Sequence, residues 1–302
     1  MRVGVAWVVW ALLPPVAVAE EPGLAADTGP PAASAPLDAG DPAALELARS
    51  VAQLPLPARI AAISASFKGA PYVNDPLGEG RAPDSDPLVR HDAFDCLTYV
   101  EEVLALSLAA DPASVGAVRL DLRYGGRPVA YENRHHLMEV QWLPNAVARG
   151  WLRDTAAEYG PVHVLERDVT LATWRAWSRR PRFAMTDEQL PVGPMRLEYL
   201  SLEDAIAAAP RIRPGSVVLA VREDRAHIPV WITHLGFVVE GDQPTFRHAS
   251  SMRSAMQVRD NPLVSYLQHL AGYQNWKTLG VAIYEPIEQG PRRTLVHTDV
   301  GE

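Results

Sequence analysis

Phe94-Asp95-Cys96-Leu97-Thr98-Tyr99-Val100-Glu101 holds the single cysteine of this 302-residue chain. Leu97, Val100, Leu104 and Leu108 recur at helical spacing, and no Gly or Pro intervenes before Pro112, so a helix is expected here. Asp95 reads as its N-cap, which puts Cys96 at the first helical position. A helix start carries partial positive charge, which favours thiolate over thiol. Its free backbone N–H groups can receive an oxyanion. Asp95 opposes the first effect, because a free carboxylate beside a thiolate is repulsive, so its side chain is expected to cap the helix. The competing reading is a buried thiol serving as a small hydrophobe.

A cysteine nucleophile needs a base, usually His, and often a third group to orient it. The chain has nine His, so position decides. Beyond Pro214 the sequence reads as short strands: Val217 to Val221 after a Pro-Gly turn, His234 to Glu240, Thr245 to Ala249, Met256 to Arg259 and Leu279 to Tyr284. Asn261-Pro262 reads as the cap and first position of a helix running to Ala271. His234 opens one strand and His248 lies near the end of the next. A hairpin through Gly241 and Pro244 would bring the two imidazoles to one end, although each can also be an ordinary strand His. The fold class is α+β: a helix bearing Cys96 packed on a small antiparallel sheet bearing His234 and His248. The mixed, Pro-punctuated segment from Arg119 to Leu200 is expected to wall the cleft.

Arg2, the apolar run Val3 to Leu13 and Ala17-Val18-Ala19 before Glu20 read as a signal peptide over 1–19. An uncleaved anchor is the alternative. Residues 20–41 are rich in Ala, Pro, Gly and Asp and form a linker expected to be disordered. The ordered domain is expected over 42–286, with a polar tail over 287–302, and a periplasmic or secreted location is implied. A formal net charge of −8 argues against a nucleic-acid partner. No later stretch is long and apolar enough to span a bilayer. No His-Glu-x-x-His or paired-Cys spacing is present, so neither metal nor cofactor is expected; His136 and Glu139 alone do not make a metal site.

Gly69-Ala70-Pro71-Tyr72, Phe94-Asp95-Cys96, Pro214-Gly215-Ser216-Val217-Val218, His234-Leu235-Gly236-Phe237-Val238 and Arg247-His248-Ala249-Ser250 occur in this order. The ordered set resembles the NlpC/P60 papain-like cysteine peptidase superfamily. Asp95 to Glu101, Leu122-Arg123-Tyr124 and Asn133-Arg134-His135-His136 resemble more narrowly its DUF1460 branch, described as N-acetylmuramoyl-L-alanine amidase-like. The similarity runs from Pro42 to Pro286. It implies a papain-like fold and a cysteine amidohydrolase acting on muropeptides, with Cys96 as nucleophile, His234 as general base and His248 as the group orienting it. Tyr72 matches a tyrosine near the oxyanion site, and Arg134 and His136 match a segment of the substrate cleft. Arg123, Arg134 and Arg247 lie in or near the matched motifs and are expected to pair with stem-peptide carboxylates. Two departures stand out. Ser216 replaces the Asp usual after the Pro-Gly turn, and the interval from Tyr72 to Cys96 is longer than in simple NlpC/P60 domains. The bond cut stays open between muramoyl–L-Ala and γ-D-Glu–diamino acid. A catalytically silent wall-binding module is the alternative of another class.

Overall fold

The computed structural model describes residues 40–288. The expected signal peptide, nearly all of the linker and nearly all of the tail lie outside the described residues. The elements are α1 (Pro42–Val51), α2 (Leu56–Ser66), α3 (Cys96–Leu108), α4 (Val115–Tyr124), α5 (Leu143–Ala148), β1 (Leu152–Asp154), β2 (Val162–Val169), α6 (Leu171–Ala176), β3 (Gly193–Ser201), α7 (Leu202–Ala208), β4 (Val217–Arg222), β5 (Ile232–Val239), β6 (Thr245–Ser250), β7 (Gln257–Pro262), α8 (Leu263–Ala271) and β8 (Thr278–Pro286). One antiparallel sheet runs β2-β3-β8-β4-β5-β6-β7, with β1 also paired to β8. The fold is therefore helices on a mixed-size antiparallel sheet, an α+β arrangement.

The sheet is covered on both faces. Val217, Leu219, Val221, Leu235 and Phe237 pack with the α3 residues Tyr99, Val100, Val103 and Leu104. Val218, Ala220, Val238 and Phe246 pack on the other side with Ala205 and Ala208 of α7 and Leu263, Tyr266 and Leu267 of α8. This explains why β4 is apolar without alternation: it is central and buried on both sides. Helix α3 is likewise buried over its whole length from Tyr99 onward, the condition of a core helix. Its two acids are neutralised from α4. Arg123 Nε donates to Glu101 at 2.9 Å, and Arg119 donates to both oxygens of Glu102 at 2.7 and 2.8 Å. Burial alone would raise the Glu102 carboxyl, but Arg119 and His91 hold it at about 2.

Two expectations are corrected. The sheet is larger than the five strands read from sequence, because β1, β2 and β3 come from the segment expected only to wall the cleft. Strand β2 is an edge strand with a single fully buried position, so it needs no apolar period and shows none. The last helix starts at Leu263, not at an Asn261 cap. Asn261 instead pairs with Phe246 inside the β6–β7 ladder, and Pro262 still pairs with Thr245.

Candidate active site

Cys96 is the first residue of α3, and Asp95 caps the helix as expected. Asp95 Oδ1 accepts the Thr98 N–H at 2.8 Å, while Thr98 Oγ1 accepts the Asp95 N–H at 3.0 Å, a reciprocal capping box. Cys96 as a residue is half-buried. Burial pushes its pKa up, and Asp95 adds to that; the N–H groups of Leu235, Cys96 and Leu97 favour the anion but do not offset both. The balance differs from the sequence expectation, in which the helix start tips the group toward thiolate. At rest the sulfur carries its proton.

The Leu235 N–H that faces the sulfur belongs to the residue after His234. Strands β5 and β6 form the expected hairpin, with Phe237 opposite Arg247 and Val238 opposite Phe246. His234 Nε2 lies 2.6 Å from His248 Nδ1, and His248 Nε2 lies 3.0 Å from Asn261 Oδ1. An amide oxygen only accepts, so His248 carries its proton on Nε2. Its Nδ1 then accepts from His234 Nε2–H, and the free lone pair of His234 is on Nδ1. Both rings are neutral. Burial keeps His234 well below its ordinary range, with the repulsion a protonated His248 would exert and the Arg222 charge adding to it, and burial holds His248 at about 4 despite the Asn261 bond. The rings rest on Phe246 and Tyr266, with His248 stacked on Phe246 at 4.8 Å. Among the described residues no hydrogen bond joins the sulfur to His234.

Gly236 makes room for this pair. A Cβ there would lie 2.6 Å from the Arg247 carbonyl oxygen and 2.7 Å from His248 Cβ. The backbone oxygen cannot step aside without opening the β5–β6 hairpin. Gly236→Ala is therefore expected to lower stability by about 1–3 kcal/mol. Thermal unfolding checks this; an Ala variant of wild-type stability would refute the packing argument.

Tyr72 is near enough to Cys96 to interact with it electrostatically. Its N–H donates to Met256 O at 3.0 Å and the next N–H donates to Phe94 O at 3.0 Å, so its segment is tied to both sides. Its phenol is raised by burial and then by Cys96 and Asp95. The other residues singled out lie elsewhere. Arg134 is buried, donates to Asp84 at 2.7 Å and to the Leu77 carbonyl, and so holds the loop ahead of Cys96. Arg123 is engaged with Glu101 and the Leu88 carbonyl; Arg247 with Asp260, Ala61 O and Ser64. These three guanidinium groups are spent inside the protein, at odds with recognition of substrate carboxylates. The reason is the buried acids and carbonyls around them, which no sequence spacing announced. His136 is likewise engaged: its Nε2 is 2.7 Å from Tyr131 O and its ring packs on Tyr131. Among the described residues no group of three His, Cys, Asp or Glu could hold a metal ion, and no helix is long and apolar enough to cross a membrane. Asn261 is the member of the site that sequence reasoning assigned to another task; its place two residues past Arg259 on a strand facing His248 was the available signal.

The model of a family described as AmiA-like, N-acetylmuramoyl-L-alanine amidase-like, matches residues 62–273. Among solved structures, a Legionella pneumophila protein of family DUF1460 is 24% identical, with a TM-score of 0.70, covering 82% of this chain and 95% of its own. An N-acetylmuramoyl-L-alanine amidase from Bacteroides uniformis is 19% identical, with a TM-score of 0.62, covering 77% of this chain and 99% of its own. At these identities the likeness establishes the fold. No curated protein matches the sequence.

Proposed function

The chain belongs to the AmiA-like, N-acetylmuramoyl-L-alanine amidase-like family, DUF1460, and from that premise we propose that it is a papain-like cysteine amidohydrolase cutting the muramoyl–L-Ala bond of peptidoglycan fragments. The observation that carries the reading is the Asn261–His248–His234 chain of hydrogen bonds, which leaves His234 Nδ1 as the basic atom next to the backbone that faces Cys96.

Because the thiol rests protonated, attack and proton transfer go together. The Cys96 sulfur bonds to the amide carbon as its proton passes to His234 Nδ1. The carbonyl oxygen becomes an oxyanion, received by N–H groups at the start of α3, with the Tyr72 hydroxyl as a further donor. His234, now imidazolium and still donating to His248, gives its proton to the leaving nitrogen. The C–N bond breaks and leaves a thioester. Water then adds, losing its proton to His234, and the thiol departs with that proton. With Arg123, Arg134 and Arg247 committed internally, the stem-peptide carboxylates fall to Arg253 and Arg259, which with Lys68 line an open groove beside the Gly69–Tyr72 segment. An exported location follows from such a substrate.

Mass spectrometry of products from a defined muropeptide tests the assignment. The expected products are the intact disaccharide with a free lactyl carboxylate and a peptide beginning with L-Ala. A peptide beginning with the diamino acid would instead assign the γ-D-Glu bond, and no cleavage at all would leave only a wall-binding role.

A further inference from the structure

We propose that Glu139 is a positioning residue that anchors the entry of β5 and so sets the aim of His234; the inference rests on the reading of His234 as the base. Glu139 is 2% exposed and sits on a π-helical turn, Met138–Trp142, that runs into α5. Such turns insert one residue into a helix and are common at functional sites. Here the insertion turns a carboxylate inward across more than ninety positions of sequence. One of its oxygens accepts the N–H of Trp231 at 2.6 Å and also the N–H of Ile232. These residues lie three and two positions ahead of His234.

The anchor falls where the sheet itself is weakest. The β5–β6 ladder pairs only from Phe237 to Val239, so at His234 the strand has no ladder partner on that side. On the other side the β4–β5 register shifts between Ala220 and Val221, with His234 opposite Ala220 and Ile232 opposite Val221. Strand β5 therefore enters the site through an irregular pairing on one edge alone. Two N–H groups bonded to one carboxyl oxygen clamp this stretch from a different element. The cost is visible: the second Glu139 oxygen is buried with no hydrogen-bond partner, and burial raises the carboxyl to about 7 even with the two N–H bonds and the Arg167 charge opposing it.

The test uses the full chain with Glu139→Ala and Glu139→Gln, read by amide hydrogen exchange and by muropeptide turnover. In the Ala variant, exchange over Trp231 to His234 is expected to rise at least tenfold (~10-fold), while α3 and β8 keep wild-type protection. Its kcat is expected to fall roughly 10–100-fold with KM within about twofold. The Gln variant keeps a side-chain carbonyl as acceptor and is expected to restore both to within about threefold. Should the Ala variant not fold, Glu139→Asp, which withdraws the acceptor by one methylene, takes its place. Wild-type exchange over 231–234 without the acceptor, or a Gln variant no better than Ala, would overturn the proposal. Exchange needs no turnover, so a wild-type chain inactive on every muropeptide would refute the catalytic reading separately.

Discussion

Cys96→Ala is expected to abolish muropeptide hydrolysis, by about a thousandfold or more, and to leave the fold in place. The loss is large because no other group can replace the sulfur: the chain has one cysteine, and no described cluster offers a metal-bound hydroxide instead. The stability effect is small for separate reasons. The residue is only half-buried and its side chain small, so removing one sulfur atom leaves little space to refill. The Asp95–Thr98 capping box, worth about 1 kcal/mol, is made by other residues and survives. The buried pairs of α3 with Arg119 and Arg123 lie a turn or more away. Thermal unfolding should then shift by less than that of a core truncation, under about 1 kcal/mol. An Ala variant that still released peptide would end the cysteine mechanism. A variant that unfolded would show Cys96 to be a packing residue after all.

What the sequence disclosed divides along physical lines. Helix α3, its cap and the five strands β4 to β8 were legible because each carries its own local signal: an Asp before an apolar run, a Pro-Gly turn, a Gly-Asp turn. The approach of His234 to His248 was legible because a hairpin needs only those turns. Asn261 was misread because Asn-Pro is also a strong helix-start signal, and only the β6–β7 ladder decides between the two uses. Arg123, Arg134 and Arg247 were misread because a guanidinium looks the same in sequence whether its carboxylate lies on a substrate or on Glu101, Asp84 or Asp260. Glu139 gave no signal of its anchoring role, since its partners are backbone N–H groups about ninety residues away. Long-range pairing to main chain leaves no mark on residue type.

The two histidines should separate under mutation and under pH. His234→Ala is expected to remove about 10²–10⁴ of the rate, because the atom that takes the thiol proton is gone. His248→Asn should be milder, a loss of roughly tenfold, since an amide oxygen can still accept from His234 Nε2–H, though from a shorter side chain. The pH profile adds a readout that a packing defect would not reproduce. Both rings are held below their ordinary value, His248 from 6.5 to about 4. A base works only when unprotonated, so activity should persist as pH falls through 6.5, with the acid limb set by His234 lying well below that value. Stability follows the same sign. The unfolded chain takes up these protons first, so the contribution of the buried neutral His248 is complete above 6.5 and declines as pH falls toward about 4. The charge of His248 is one of the causes that depress His234, after burial. Replacing it with Asn should therefore raise His234 and move the acid limb of the rate profile to higher pH. The rates of the two variants and the acid limb of the second, measured on one muropeptide, check the assignment. A tolerant His234 with an indispensable His248 would reverse the roles, and an acid limb that stayed in place would separate the two rings electrically.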